Sequence, residues 1–185
     1  PQLSVAVLDR LESAYKQFAP IDPAKQVAWL FQQFVKLPRT TEAGWESEDR
    51  EVDAARKQAV QTLLSEGGIP AVLSLARLTE APGLVGKAIY ESGLPYSDID
   101  TLLEAAVRSA DAHERYVAHG LIVSAFRDRK EAWAATLVAR ARDESWGDIT
   151  LLTILRALPM ERWTWEQVSK IGGETEVAYW RQAPA

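Results

Sequence analysis

A chain of 185 residues with 47% hydrophobic and 25% charged residues has the composition of a folded globular protein and the length to bury roughly 70% of its unfolded surface. It contains no cysteine and only two histidines, which excludes disulfides, thiolate chemistry and a multi-histidine metal centre. The net charge of −5 resides in one segment, where Glu42, Glu46, Glu48, Asp49, Glu51 and Asp53 face the single base Arg50, and the balanced remainder disfavours a nucleic-acid binder.

Helical periodicity dominates from the start. Val5, Leu8, Leu11, Tyr15 and Phe18 form one stripe that closes before Pro20. Asp22 followed by Pro23 reads as an N-cap with proline in the first turn, and Val27, Leu30, Phe31, Phe34 and Val35 give a second stripe ending near Pro38. A polar connection from Arg39 to Trp45 leads into a third helix carrying Val52, Ala55, Ala59, Val60 and Leu63, which Gly67 and Gly68 should stop. Shorter units follow: 69–78, 82–92, 95–107, 111–126 and 130–142. The stretch 148–158 is apolar nearly all round and is predicted to be the most buried helix. Thr164 with Gln167 has the spacing of a capping box for the next helix, which ends at Gly172 and Gly173, and a last helix carries Val177, Tyr179 and Trp180.

Alternating strand patterns are missing, so the prediction is an all-α single domain over 1–185: an N-terminal hairpin (1–38), an acidic connection with a long helix (39–68), and stacked helical pairs (69–185). The total is about eleven helices in consecutive antiparallel hairpins, and from Ile69 the pairs recur about every 25–35 residues, the spacing of helical solenoids.

Motifs that would carry chemistry are weak. Ala81–Ala88 (APGLVGKA) lacks the first glycine and the final Ser or Thr of a phosphate-binding loop, and a helix start at Pro82 with Gly83 and Gly86 at a close helix contact accounts for it. His113 and His119 lie on different sides of one helix and cannot share a ligand; His119, beside Gly120, reads as a hydrogen-bonded packing residue. Asp100 and Glu104 share a helix face, with Asp98 near by, where the helix dipole already explains acids. Arg127, Arg129, Lys130, Arg140 and Arg142 form a basic patch that antiparallel helices would split between two ends. No pattern calls for a catalytic residue, a cofactor or a metal.

Of the seven tryptophans, Trp29, Trp133 and Trp165 fall on apolar stripes and are predicted core. Trp45, with Glu46, Glu48 and Asp49 beside it, and then Trp146 in a turn next to Gly147, are the candidates for contact with a partner protein. No apolar run approaches the roughly 18 residues of a membrane span, and no signal-peptide pattern opens the chain. It begins at Pro1, and a segment cut from a longer protein is expected.

The paired helices from Ile69 to Trp180 resemble HEAT- or armadillo-like repeats, which are defined by architecture more than by letters. Ile21–Phe31 (IDPAKQVAWLF) and Leu158–Trp180 (LPMERWTWEQVSKIGGETEVAYW) look like helical portions of very large bacterial proteins. These resemblances imply a right-handed helical stack in a cytoplasmic, non-enzymatic scaffold that binds a protein partner or a neighbouring domain. The alternative is a nucleic-acid enzyme on a HEAT-like scaffold, similar to the alkylpurine DNA glycosylases, which the tryptophan content fits and the charge balance does not.

Overall fold

The computed structural model describes residues 4–37 and 45–182, without the side chains of Lys16, Trp45, Glu46 and Gln182. Among these residues the chain is all-α: α1 Val5–Phe18, α2 Pro23–Val27, a 3₁₀ turn Ala28–Phe31, α3 Trp45–Leu78, α4 Pro82–Glu91, α5 Tyr96–Val107, α6 Ala112–Asp143, α7 Asp148–Ala157, α8 Arg162–Ile171 and α9 Gly173–Gln182. Two compact units divide it, Pro1–Ala81 and Pro82–Ala185, where the sequence pointed to one domain with its stacked pairs starting at residue 69.

In the first unit Asp22 caps α2 as expected, accepting from the Ala24 backbone N–H at 3.0 Å. The second helix is nonetheless much shorter than its stripe predicted. It tightens into the 3₁₀ turn at Ala28 and ends at Phe31, with Gln32 already extended. The cause is tertiary: Arg56 on α3 donates to the carbonyls of Leu30 (2.7 Å) and Gln32 (3.0 Å), and the Thr79 hydroxyl donates to that of Phe31. Carbonyls that would have continued the helix are satisfied by side chains instead. Phe31, Val60, Leu63, Val72 and Leu75 make the core of this unit, whereas Trp29 and Phe34, predicted inside, are 39% and 88% exposed.

In the second unit α6 is the central element, packing on α4, α5 and α7, while α9 packs on α7 and α8. Asp111 caps α6 through its carboxylate, which accepts from the N–H groups of His113 (2.8 Å) and Glu114 (3.3 Å). The α4–α6 crossing depends on glycine. A Cβ at Gly120 would lie 1.9 Å from the Gly83 carbonyl oxygen, and one at Gly86 would lie 2.1 Å from that of Val117, so the two backbones touch. Pro82 starts α4, and these glycines form a helix contact, not a phosphate loop.

Nine helical segments are assigned among the described residues, against the expected count of about eleven, and two of them, α3 and α6, are each interrupted by a residue of non-helical conformation, Gly68 and Lys130. Both residues hold the same backbone conformation, φ 63, ψ −158 at Gly68 and φ 59, ψ −164 at Lys130, and Gly172 between α8 and α9 repeats it at φ 66, ψ −162. Only glycine adopts this region without strain of about 1–3 kcal/mol. Lys130→Gly is therefore expected to stabilise the protein by about 1 kcal/mol, read as a higher urea midpoint at unchanged m-value. A lower midpoint would contradict this backbone path.

Two further expectations are corrected. Thr164 does not cap α8: the helix begins at Arg162 after an extended Glu161, which carries Trp163 to within 6.3 Å of the Phe126 ring and leaves Thr164 buried, its hydroxyl without a hydrogen-bond partner. Nor is α7 the most buried helix. It is flanked by α6 and α9, and Ile149 at its start is 70% exposed.

Candidate interaction surface

The exposed apolar residues concentrate on α1. Its stripe forms as predicted but is not covered: Val5 is 68% exposed, Leu11 54%, Tyr15 51% and Phe18 78%, with Leu8 half-buried. No other described element packs extensively on this helix. A polar contact joins it to α2, the Tyr15 hydroxyl donating to the Gln26 carbonyl at 3.1 Å. Ile21, 99% exposed, extends the apolar surface beyond Phe18. A helix of 14 residues is marginal in water without tertiary packing, and an exposed stripe of this length is the form in which amphipathic helices enter a partner's groove.

The predicted contact residues distribute differently. The side chains of Trp45 and Glu46, and the connection 38–44 with Glu42, lie outside the described residues. Asp49 is exposed and Glu48 half-buried in the first turn of α3. Trp146 is not exposed: at 8% it is buried, with the guanidinium groups of Arg140 and Arg108 at 4.9 and 5.4 Å from its ring and its Nε1 donating to Glu144 at 2.8 Å. Two cations over one indole and a bonded N–H satisfy the ring within its own unit, so its turn position does not expose it. Trp165 is 40% exposed, against its predicted core position, and lies 6.2 Å from Trp180.

The charged clusters resolve into pairs between α5 and α6. Arg129 forks onto both carboxylate oxygens of Asp100, at 2.6 and 3.0 Å, with the rings of Tyr96 and Trp133 each 5.0 Å away. One turn along, Glu104 bonds Arg140 and Arg108. Asp100 and Glu104 thus share a face as expected, but they hold arginines. Arg129 and Arg140 meet consecutive turns of α5 and do not lie at opposite ends, because the break at Lys130 folds the second half of α6 back along it.

His113 is half-exposed beside Asp111, Nδ1 to Oδ1 3.6 Å. His119 hydrogen-bonds the Arg156 backbone carbonyl; burial, and next the Arg156 charge, push its pKa below the ordinary 6.5. Among the described residues no three His, Asp or Glu side chains converge as a metal-ligand set. Among the described residues one helix, Ser47–Leu78, is long and apolar enough by composition to cross a membrane, with a mean hydropathy of 1.2 over its most apolar stretch. That helix is interrupted at Gly68 and contains Pro70, so its backbone hydrogen bonding is not continuous over that length.

Among the described residues the chain is all-α, and α1 presents an exposed apolar stripe. No known family, curated protein or solved structure matches the chain.

Proposed function

We propose that this chain is a non-enzymatic helical interaction module of a larger bacterial cytoplasmic protein, and that α1 is the element it offers to a partner protein or neighbouring domain. The uncovered stripe of Val5, Leu11, Tyr15 and Phe18 is the observation that carries this reading. Covering four such side chains is worth about 1.5–3 kcal/mol each before ordering costs, enough to hold a helix in a groove. The pairing of helices two apart in the second unit, α4 on α6 and α7 on α9, and the one-residue break repeated at Lys130 and Gly172 support a stacked, HEAT- or armadillo-like arrangement there. The engagement of Arg129 and Arg140 by α5 carboxylates weighs against the glycosylase-like alternative, which needs cations facing phosphate. Trp45 and the acids around it remain a second contact surface in this reading.

Affinity capture from nuclease-treated bacterial lysate tests it with three chains: the unchanged protein, Leu11→Glu/Phe18→Glu, and Arg10→Gln on the polar side of α1. The expected result is a protein retained by the first and third and lost from the second by about tenfold or more. Equal retention by all three, or recovery of nucleic acid in an untreated parallel, contradicts the assignment.

A further inference from the structure

A recess of about 310 Å³ opens beside the turn between α4 and α5, where both helices pack on α6. Tyr90 near the end of α4 and Tyr96 at the start of α5 form one wall, their rings stacked at 6.2 Å, and Leu94 adds an aliphatic surface. Tyr96 is fixed further by the Arg129 guanidinium, which lies 5.0 Å from its ring and is itself held by Asp100. The other wall is one face of α6, carrying Ser124, Arg127 and Asp128 at i, i+3 and i+4.

The three polar groups on the α6 wall keep bonding capacity for a ligand. Ser124 is buried, at 8% exposure, yet its hydroxyl makes no hydrogen bond to a described residue, whereas Thr136 and Thr153 each bond the carbonyl one turn back. A buried hydroxyl left in that state loses its bonds to water, and a polar ligand in the recess restores one. Arg127 and Asp128 carry opposite charges into the same recess and form no ion pair with each other or with another described residue. Their neighbours behave differently: Glu91 at the rim meets Lys87 at 4.0 Å, and Arg129 pairs with Asp100. The Tyr90 hydroxyl is enclosed. Burial, and then Tyr96 and Asp128 beside it, push its pKa above the ordinary 10.0, so it stays a neutral donor and the negative charge stays on Asp128.

We infer that this recess binds a free α-amino acid with an apolar side chain, as its zwitterion. Arg127 takes the carboxylate, Asp128 takes the ammonium group, Ser124 between them donates to a carboxylate oxygen, and the ligand's side chain lies against Tyr96 and Leu94. A cation and an anion on consecutive residues, neither in an ion pair, match a ligand that carries both charges close together; a neutral sugar or a simple ion leaves at least one of them unmet. The volume lies at the small end of ligand sites, right for a single amino acid and too small for a helix. The inference is independent of α1, which lies in the other unit.

Isothermal titration calorimetry of the full chain tests this with L-leucine as the probe. N-acetyl-L-leucine and L-leucine amide each lack one of its charges, and glucose serves as a neutral polyol. L-leucine is expected to bind saturably, and each capped form about tenfold more weakly. Arg127→Gln and Asp128→Asn should each weaken L-leucine about tenfold, whereas Arg142→Gln on the second half of α6 leaves its affinity unchanged. Both recess side chains are exposed, so circular dichroism of the variants should match that of the parent. Should Asp128→Asn lose its fold, Arg127→Gln decides alone. Equal binding of L-leucine and its amide, glucose binding as tightly as L-leucine, an affinity indifferent to Arg127→Gln, or no saturable heat up to about 10 mM L-leucine overturns the inference.

Discussion

Gly120→Ala is expected to be among the most damaging single-methyl additions to this protein. The new Cβ would stand 1.9 Å from the Gly83 carbonyl oxygen and 2.8 Å from its carbonyl carbon, against a normal contact of about 3.4 Å or more. Both neighbours are backbone, so no rotamer change relieves the clash and the α4 and α6 axes must separate by more than an ångström. That shift would open the core around Val85, Ile89, Val117 and Leu121, all of them fully buried. Overpacking of this kind costs about 3 kcal/mol or more, which for a unit of this size lowers the melting temperature by more than about 10 °C. Gly83→Ala provides the contrast. Its Cβ would meet only the Tyr116 carbonyl at an ordinary 3.7 Å, and the helix gains from losing a glycine, so stability should change by less than about 1 kcal/mol. Thermal melts of the two variants side by side check the crossing geometry; similar losses in both would show that the helices do not approach as described.

Arg56→Met should be the costliest polar change in the first unit. The guanidinium is buried, at 8% residue exposure, and bonds the carbonyls of Leu30 and Gln32 while approaching Asp53 at 3.3 Å. Methionine matches the volume of the stem but leaves two carbonyls without their charged donor, a loss of about 3 kcal/mol. Lysine should restore less than half, since a single ammonium cannot reproduce a fork directed to carbonyls two residues apart. Urea unfolding followed by circular dichroism measures both. A methionine variant as stable as the parent would mean that the 3₁₀ turn ends for reasons of its own backbone.

These two cases also separate what the sequence reveals from what it hides. Helix type and most boundaries are legible because they rest on local signals: Asp22 before Pro23, Asp111 at the head of α6, glycine at 68 and 172. A close helix contact at α4 is legible too, since Gly83 and Gly86 sit about one turn apart, but its partner α6 is not. Periodicity, however, states only that a face is apolar, not that anything covers it. The stripes of α1 and of α6 read alike, yet Leu121 and Ile122 are fully buried and Phe18 is 78% exposed. The early end of the second helix was hidden for the same reason, because its terminating donors, Arg56 and Thr79, lie 26 and 48 residues further on.

The candidate surfaces show the same limit. Trp146 sits beside a glycine in a turn, a local context that favours exposure, but Arg108 and Arg140 arrive from α5 and α6 to enclose it. Tyr90, Tyr96 and Ser124 come together only because α4 and α5 both pack on α6, and no linear spacing reports that. The one available signal was Ser124, Arg127 and Asp128 at i, i+3 and i+4 on α6, which is common on solvated helices and identifies nothing alone.

The central claim is that α1 presents an uncovered apolar face in the isolated chain and is covered on binding. Hydrogen exchange by mass spectrometry addresses it directly, first on the protein alone and then with the partner recovered in a stripe-dependent way. Alone, the amides of α1 should exchange within seconds, as a marginal helix does, while those of α6 around Val117–Ile122 exchange orders of magnitude more slowly. In the complex the α1 amides should slow selectively. Strong protection of α1 in the isolated chain, comparable to that of α6, would mean that its stripe is already packed and would contradict the account.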